Sequence, residues 1–136
     1  MGVSIQYRFL VHHPEVISKL QEWIKMFAQR CNMRIKAHEE AQYLLLIEPP
    51  GCETLDLTFR RRNGGWVCEG SCKTQFAGWA THVQVAELLR ILAAFCSSAE
   101  ILDEGGYYET RDIGMLIQTL RWHTDSLRNL RRSLEG

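Results

Sequence analysis

No stretch of this 136-residue chain comes near the roughly 20 consecutive apolar residues that a membrane-spanning helix needs. Charge of one sign is missing too: 16 Lys and Arg offset 16 Asp and Glu, for a formal net charge of zero. That balance excludes a strong overall field for gathering nucleic acid or an anionic membrane. Proline is scarce, with Pro14, Pro49 and Pro50 alone, so little of the chain is barred from helix or sheet. The signatures of metal and cofactor chemistry are also missing. HEEAQ at 38–42 starts like the metalloprotease pattern H-E-x-x-H, but Gln42 stands where the second ligand belongs. There is no phosphate-cradling glycine loop, nucleophile elbow or Cys–His arrangement. The expectation is a protein that uses no metal and no cofactor. The opening MGVSIQYRFLVHH alternates apolar and polar residues instead of forming the apolar core of a signal peptide, and Gln6 replaces the Ser or Thr of a myristoylation motif. A cytoplasmic location is expected.

Five cysteines, Cys31, Cys52, Cys68, Cys72 and Cys96, are an odd number for a disulfide framework, and reduced thiols are the expectation. Cys31 and Cys96 fall on apolar helical stripes, where a thiol behaves as a small hydrophobe. Cys68 and Cys72 have the spacing of half a metal site. On a strand, however, they would stand about 13 Å apart at ~3.3 Å per residue, too far for both to sit about 2.3 Å from one zinc ion.

Residues 3–11 alternate Val3, Ile5, Tyr7, Phe9 and Val11 with polar neighbours, the pattern of a half-buried strand. Pro14 and Glu15 suit the first turn of a helix over 14–31, whose predicted stripe is Val16, Leu20, Trp23, Ile24, Phe27 and Cys31. Strands are expected at 33–38 and 42–48, the second covered on both faces, until Pro49-Pro50-Gly51 stops it. Residues 54–61 alternate again, and Asn63-Gly64 is a hairpin turn signal. Arg62 then pairs with Gly65, and that register sets Phe59, Leu57 and Leu55 opposite Cys68, Gly70 and Cys72. After a loop at 73–80, Thr81 and Gln84 read as a capping box for a helix over 81–97, with Val85, Leu88, Leu89, Leu92 and Cys96 inward. SAEILDEGGYYET predicts two short strands around a glycine turn. Asp112 caps a last helix burying Ile113, Leu116, Ile117, Leu120, Leu127 and Leu130. No linker or repeat divides residues 1–136, so one α+β domain is expected. It would have a single antiparallel or mixed sheet, helices on one face and a ferredoxin-like elaboration of a split β-α-β arrangement.

Chemistry-bearing residues concentrate in two loops, Lys73-Thr74-Gln75 and DEGGYYETRD at 103–112. If the strands before them run the same way, the loops meet at one end. Lys73, Gln75, Glu104, Tyr107, Glu109 and Arg111 would then line a polar pocket, with Glu109 facing Lys73 or Arg111. The plainer alternative is a glycine turn in which Arg111 neutralises a carboxylate and Asp112 caps a helix. His12-His13 reads as a capping or surface pair. Arg60–Arg62 beside Trp66, and RNLRR at 128–132, are the basic clusters.

KTQFAG at 73–78, followed by DEGGYYETRD, resembles a pairing of segments in uncharacterised bacterial proteins of this size. The resemblance covers residues 73–112 and implies no activity. The residues themselves point to a small interaction or ligand-binding module, whose partner is a protein or a small polar ligand and which is open to homo-oligomerisation. A rival is a small hydrolase or lyase with Glu104 or Glu109 as general acid or base and Lys73 or Arg111 stabilising an anion. A third reading, RNA binding through Arg60–Arg62 and Trp66, is disfavoured by the zero net charge.

Overall fold

The structure, a computed structural model, describes residues 3–135, without the side chains of Ser126, Leu127, Leu130 and Glu135. The predicted inward placement of Leu127 and Leu130 therefore lies outside the described residues. The chain is α+β. Its first strand, β1 (Ser4–Val11), alternates as the sequence demands, with Ile5, Tyr7, Phe9 and Val11 buried. It lies at the centre of a four-stranded sheet between β6 (Gly65–Lys73) and β7 (Ser98–Asp103), with β5 (Arg60–Arg62) on the outer side of β6. Both β6 and β7 run antiparallel to β1 and hence parallel to each other. The helix α2 (Trp79–Phe95) joins them in a split β-α-β unit. The rest departs from a ferredoxin-like layout: α1 (Pro14–Arg30) leads into a second, three-stranded sheet of β2 (Arg34–Glu39), β3 (Leu44–Glu48) and β4 (Leu55–Asp56).

Two antiparallel sheets thus replace the expected single one, and the cause is local. Residues 54–61 do not form one strand: the ladder is interrupted at Leu57, Thr58 and Phe59, which are buried consecutively. The Thr58 hydroxyl accepts the Leu45 N–H at 3.2 Å, the Thr58 N–H donates to Asp56 Oδ1 at 2.9 Å, and the Leu57 N–H donates to the Leu45 carbonyl at 2.9 Å. The regular β3–β4 ladder therefore ends at Asp56, Leu57 and Phe59 stay bonded to the Leu45 and Tyr43 carbonyls, and pairing with β6 begins at Arg60. The hairpin tip follows the predicted register, Arg62 opposite Gly65 and Arg61 opposite Trp66. Positive φ at Asn63 (46°) and Gly64 (82°) is the requirement of a two-residue type I′ turn. Farther along, Cys68, Gly70 and Cys72 face Phe9, Tyr7 and Ile5 of β1 rather than Phe59, Leu57 and Leu55. Both cysteines are nonetheless buried in one core with those three residues.

The first helix buries Ile17, Leu20, Gln21, Ile24 and Ala28, and Trp23 is 54% exposed. The sequence carries two overlapping helical stripes that share Leu20 and Ile24, and periodicity cannot choose between them. In α2, Val85, Leu88, Leu89 and Leu92 are buried as expected. The helix starts two residues early, however, after Gly78 at φ 94°, and no side chain caps it. The Thr81 hydroxyl donates to the Pro50 carbonyl at 3.1 Å, so the capping box with Gln84 does not form. The third strand alternates, Leu45 and Ile47 buried and Leu44 and Leu46 half-buried, so it is not covered fully on both faces. The predicted strand after the glycines is instead a helical turn, α3 (Tyr107–Thr110). Asp112 caps α4 (Ile113–Glu135) through its Oδ1, which accepts the Met115 N–H at 3.0 Å. Leu116 and Leu120 are buried there, and Ile113 is exposed. Among the described residues no helix is long and apolar enough to cross a membrane.

Candidate functional site

Because β6 and β7 are parallel, the loops that follow them emerge at the same end of the sheet, and a buried polar chain joins them. Thr74, just past β6, places its hydroxyl 2.5 Å from His82 Nδ1 in the first turns of α2. His82 Nε2 lies 2.9 and 3.0 Å from the two carboxylate oxygens of Asp103 at the end of β7. All three residues are buried. An ionised Asp103 requires the proton on Nε2, which leaves Nδ1 to accept the Thr74 hydroxyl. Asp103 also accepts the N–H groups of Gly105 at 2.8 Å and Tyr108 at 2.9 Å. Burial alone would raise its pKa, but the hydrogen bond from His82, the positive charge this ring carries when protonated, and the N–H groups of Tyr108 and Gly105 outweigh it and hold the carboxyl below the usual carboxylate range.

Hydroxyl, imidazole and carboxylate in this order form the relay by which many hydrolases activate a nucleophile. Here the Thr74 side chain has no exposed surface, and its backbone N–H is engaged by the Val3 carbonyl at 3.0 Å. A nucleophile must reach substrate, so the chain of groups acts as a clamp across β6, α2 and β7. The same carboxylate explains why residues 107–110 coil. Its bonds to Gly105 and Tyr108 wind the chain back on itself, helped by Gly106 in the left-handed region at φ 74°. Gly105 serves differently: a Cβ there would sit 2.7 Å from Leu116 Cδ1 and 3.0 Å from His82 Cε1 and Nε2. Gly105→Ala is expected to cost about 1–3 kcal/mol by overpacking, measured by urea denaturation. An unchanged midpoint would show that α4 does not press on the clamp.

The structure scatters the residues the sequence suggested. Lys73 is exposed, with its ammonium 5.7 Å from the Phe76 ring centre. Gln75 is buried, its Oε1 accepts the Val3 N–H at 3.2 Å, and its Nε2 has no partner among the described residues. Glu104 is exposed and accepts the Ser4 hydroxyl. Tyr107 is buried and donates its hydroxyl to Glu87 at 2.9 Å, and Arg111 reaches the same Glu87 at 3.3 Å. Glu109 is exposed, with Oε1 3.5 Å from the Asp103 backbone nitrogen. The expected pairing of Glu109 with Lys73 or Arg111 is therefore not formed. Tyr107 and Glu109 share a face only in an extended chain, and residues two apart on a helical turn do not. His82 was detectable in the sequence as a polar residue on the apolar stripe of Val85 and Leu89, and Glu87 left no comparable signal.

A groove of about 580 Å³ opens beside the clamp, between residues 75–79, where the loop runs into α2, and α4. Gln75, Phe76, Trp79, Ile117 and Leu120 supply its walls and Arg121, Asp125 and Arg128 its polar side. Phe76 is 69% and Trp79 45% exposed. Neither Glu104 nor Glu109 lines it. A second concavity, on the outer face of the larger sheet, holds Arg8 between Glu69 and Glu100 on the neighbouring strands, and Arg8 already pairs with Glu69 at 3.4 Å. At the hairpin tip Arg60 and Arg62 pair with Asp56 and Glu69 at 3.5 and 3.4 Å. Trp66 is half-buried beneath Arg61 and against the edge of Tyr43, which leaves it little free ring for stacking a base. Comparison of the chain with protein families, with curated proteins and with solved structures finds no match.

Proposed function

We propose that this protein is a protein-binding module whose groove between the 75–79 loop and α4 takes an amphipathic segment of a partner chain. The exposure of Phe76 and Trp79 side by side carries this reading. Aromatic rings of this size bring large apolar area to an interface and are the common anchors of binding energy. Ile117 and Leu120 continue the apolar surface, and Arg121 and Arg128 against Asp125 favour a segment with a carboxylate beside its apolar side chains. Screening a displayed peptide library against the full chain tests it. Amphipathic acidic peptides should be enriched, and their NMR shift perturbations should map to Phe76, Trp79 and α4. The double substitution Phe76→Ser with Trp79→Ser should weaken them by about 2 kcal/mol or more, roughly thirtyfold in Kd. Enrichment that survives the double substitution, or binding that maps to the outer sheet face, would overturn the reading. Concentration-dependent self-association lost in the same variant would assign the groove to a second copy of the chain.

A further inference from the structure

A cysteine of the β3–β4 connection meets a cysteine of β6 beside the Pro49-Pro50-Gly51 turn. Cys52 follows that turn and is half-buried; Cys72 lies on β6 and has no exposed surface. Their sulfurs are 3.4 Å apart, and Cys52 Sγ is also 3.0 Å from the Lys73 carbonyl oxygen. A disulfide requires about 2.05 Å, and Cys52 is the member of the pair that lies outside a strand, next to the exposed Pro50 and Gly51, whereas Cys72 is fixed in the ladder opposite Ile5. We propose that Cys52 and Cys72 form a peroxide-oxidisable thiol pair, with Cys52 the attacking sulfur and Cys72 the resolving one.

The electrostatics agree with that assignment. The hydrogen bond between the two thiols lowers the Cys52 pKa, and the same bond, with burial, raises that of Cys72. Burial raises Cys68 and pushes Cys96 up to about 11. A lowered pKa and access together select the reactive thiol, and among Cys52, Cys68, Cys72 and Cys96 it is Cys52 that is shifted down and partly exposed. In the first step the Cys52 sulfur attacks the terminal oxygen of a hydroperoxide. The O–O bond breaks, Cys52 becomes a sulfenic acid, and its thiol proton leaves with the departing alcohol, or with water when the oxidant is hydrogen peroxide. In the second step the Cys72 sulfur attacks Cys52, an S–S bond forms, the S–O bond breaks, and hydroxide takes the Cys72 proton away as water. Two thiols are oxidised to one disulfide and one hydroperoxide is reduced. The bridge would tie the β3–β4 turn of the smaller sheet to β6 of the larger one.

Hydrogen peroxide on the freshly reduced full chain tests the proposal. Peptide mapping should show Cys52 joined to Cys72, with the chain lighter by two hydrogens, two of the five thiols lost, and full reversal by dithiothreitol. The bridged chain should also melt a few degrees higher than the reduced one. In Cys52→Ser, Cys72 should stay reduced. In Cys72→Ala, Cys52 should stop at a sulfenic acid that dimedone traps. Should that core variant not fold, the mapping of the unsubstituted chain decides alone. Persistence of all five thiols, over-oxidation of Cys52 with Cys72 still reduced, or a bridge through Cys31 or Cys96 would each overturn the proposal.

Discussion

Asp103→Ala lowers the free energy of unfolding by about 3–5 kcal/mol, the expected cost of removing one partner of a buried charged network. The substitution leaves His82 Nε2–H and the N–H groups of Gly105 and Tyr108 without their acceptor, and a buried donor left unpaired is costly. The effect depends on pH, and its direction follows from the carboxyl itself. Asp103 is held below the ordinary value in the folded chain, so its contribution is fully present above the unfolded value of about 3.9. It is lost as the pH falls through the lower folded value. Urea denaturation of the wild-type and Asp103→Ala chains should give a difference at neutral pH that narrows as the pH falls below about 4. A difference under about 1 kcal/mol at neutral pH, the net worth of an ordinary hydrogen bond, would remove the clamp from this account.

Leu89→Ala should cost about 2–5 kcal/mol, the range for truncating a buried leucine and leaving a cavity. Leu89 has no exposed surface and sits on α2, the helix against which β1, β7, α1, α3 and α4 all pack. Few positions have so little room to collapse around a lost side chain. Arg131→Ala, on the exposed side of α4, should change stability by less than about 0.5 kcal/mol. Equal denaturation midpoints for the two variants would mean that α2 turns a different face inward.

The elements that the sequence made legible are those fixed by neighbours in the chain. The alternation of β1, the Asn63-Gly64 turn, the Asp112 cap and the leucine stripe of α2 each depend on a few consecutive residues. The misread elements answer to distant partners. Residues 54–61 look like one strand until the Leu45 N–H donates to the Thr58 hydroxyl. DEGGYYET looks like a hairpin until one carboxylate collects two N–H groups and an imidazole. The meeting of the two rich loops was legible, but the side chains that join them were not. Conspicuous charges such as Lys73, Glu104 and Glu109 remain in water, where their solvation is cheapest. The residues that join the loops are Thr74, a histidine on an apolar stripe and the aspartate nearest the strand.

The placement of β1 between β6 and β7 has a consequence for synthesis. During translation β1 leaves the ribosome well before either of its two neighbours exists, because the residues that complete its ladder are 65–73 and 98–103. The β2–β3–β4 meander can close as soon as residue 56 is out. Phe9, Ile5 and Tyr7 must therefore wait for both neighbours with α1 as their nearest cover. Until both have been made, the strand at the centre of the larger sheet has neither of its ladder partners beside it.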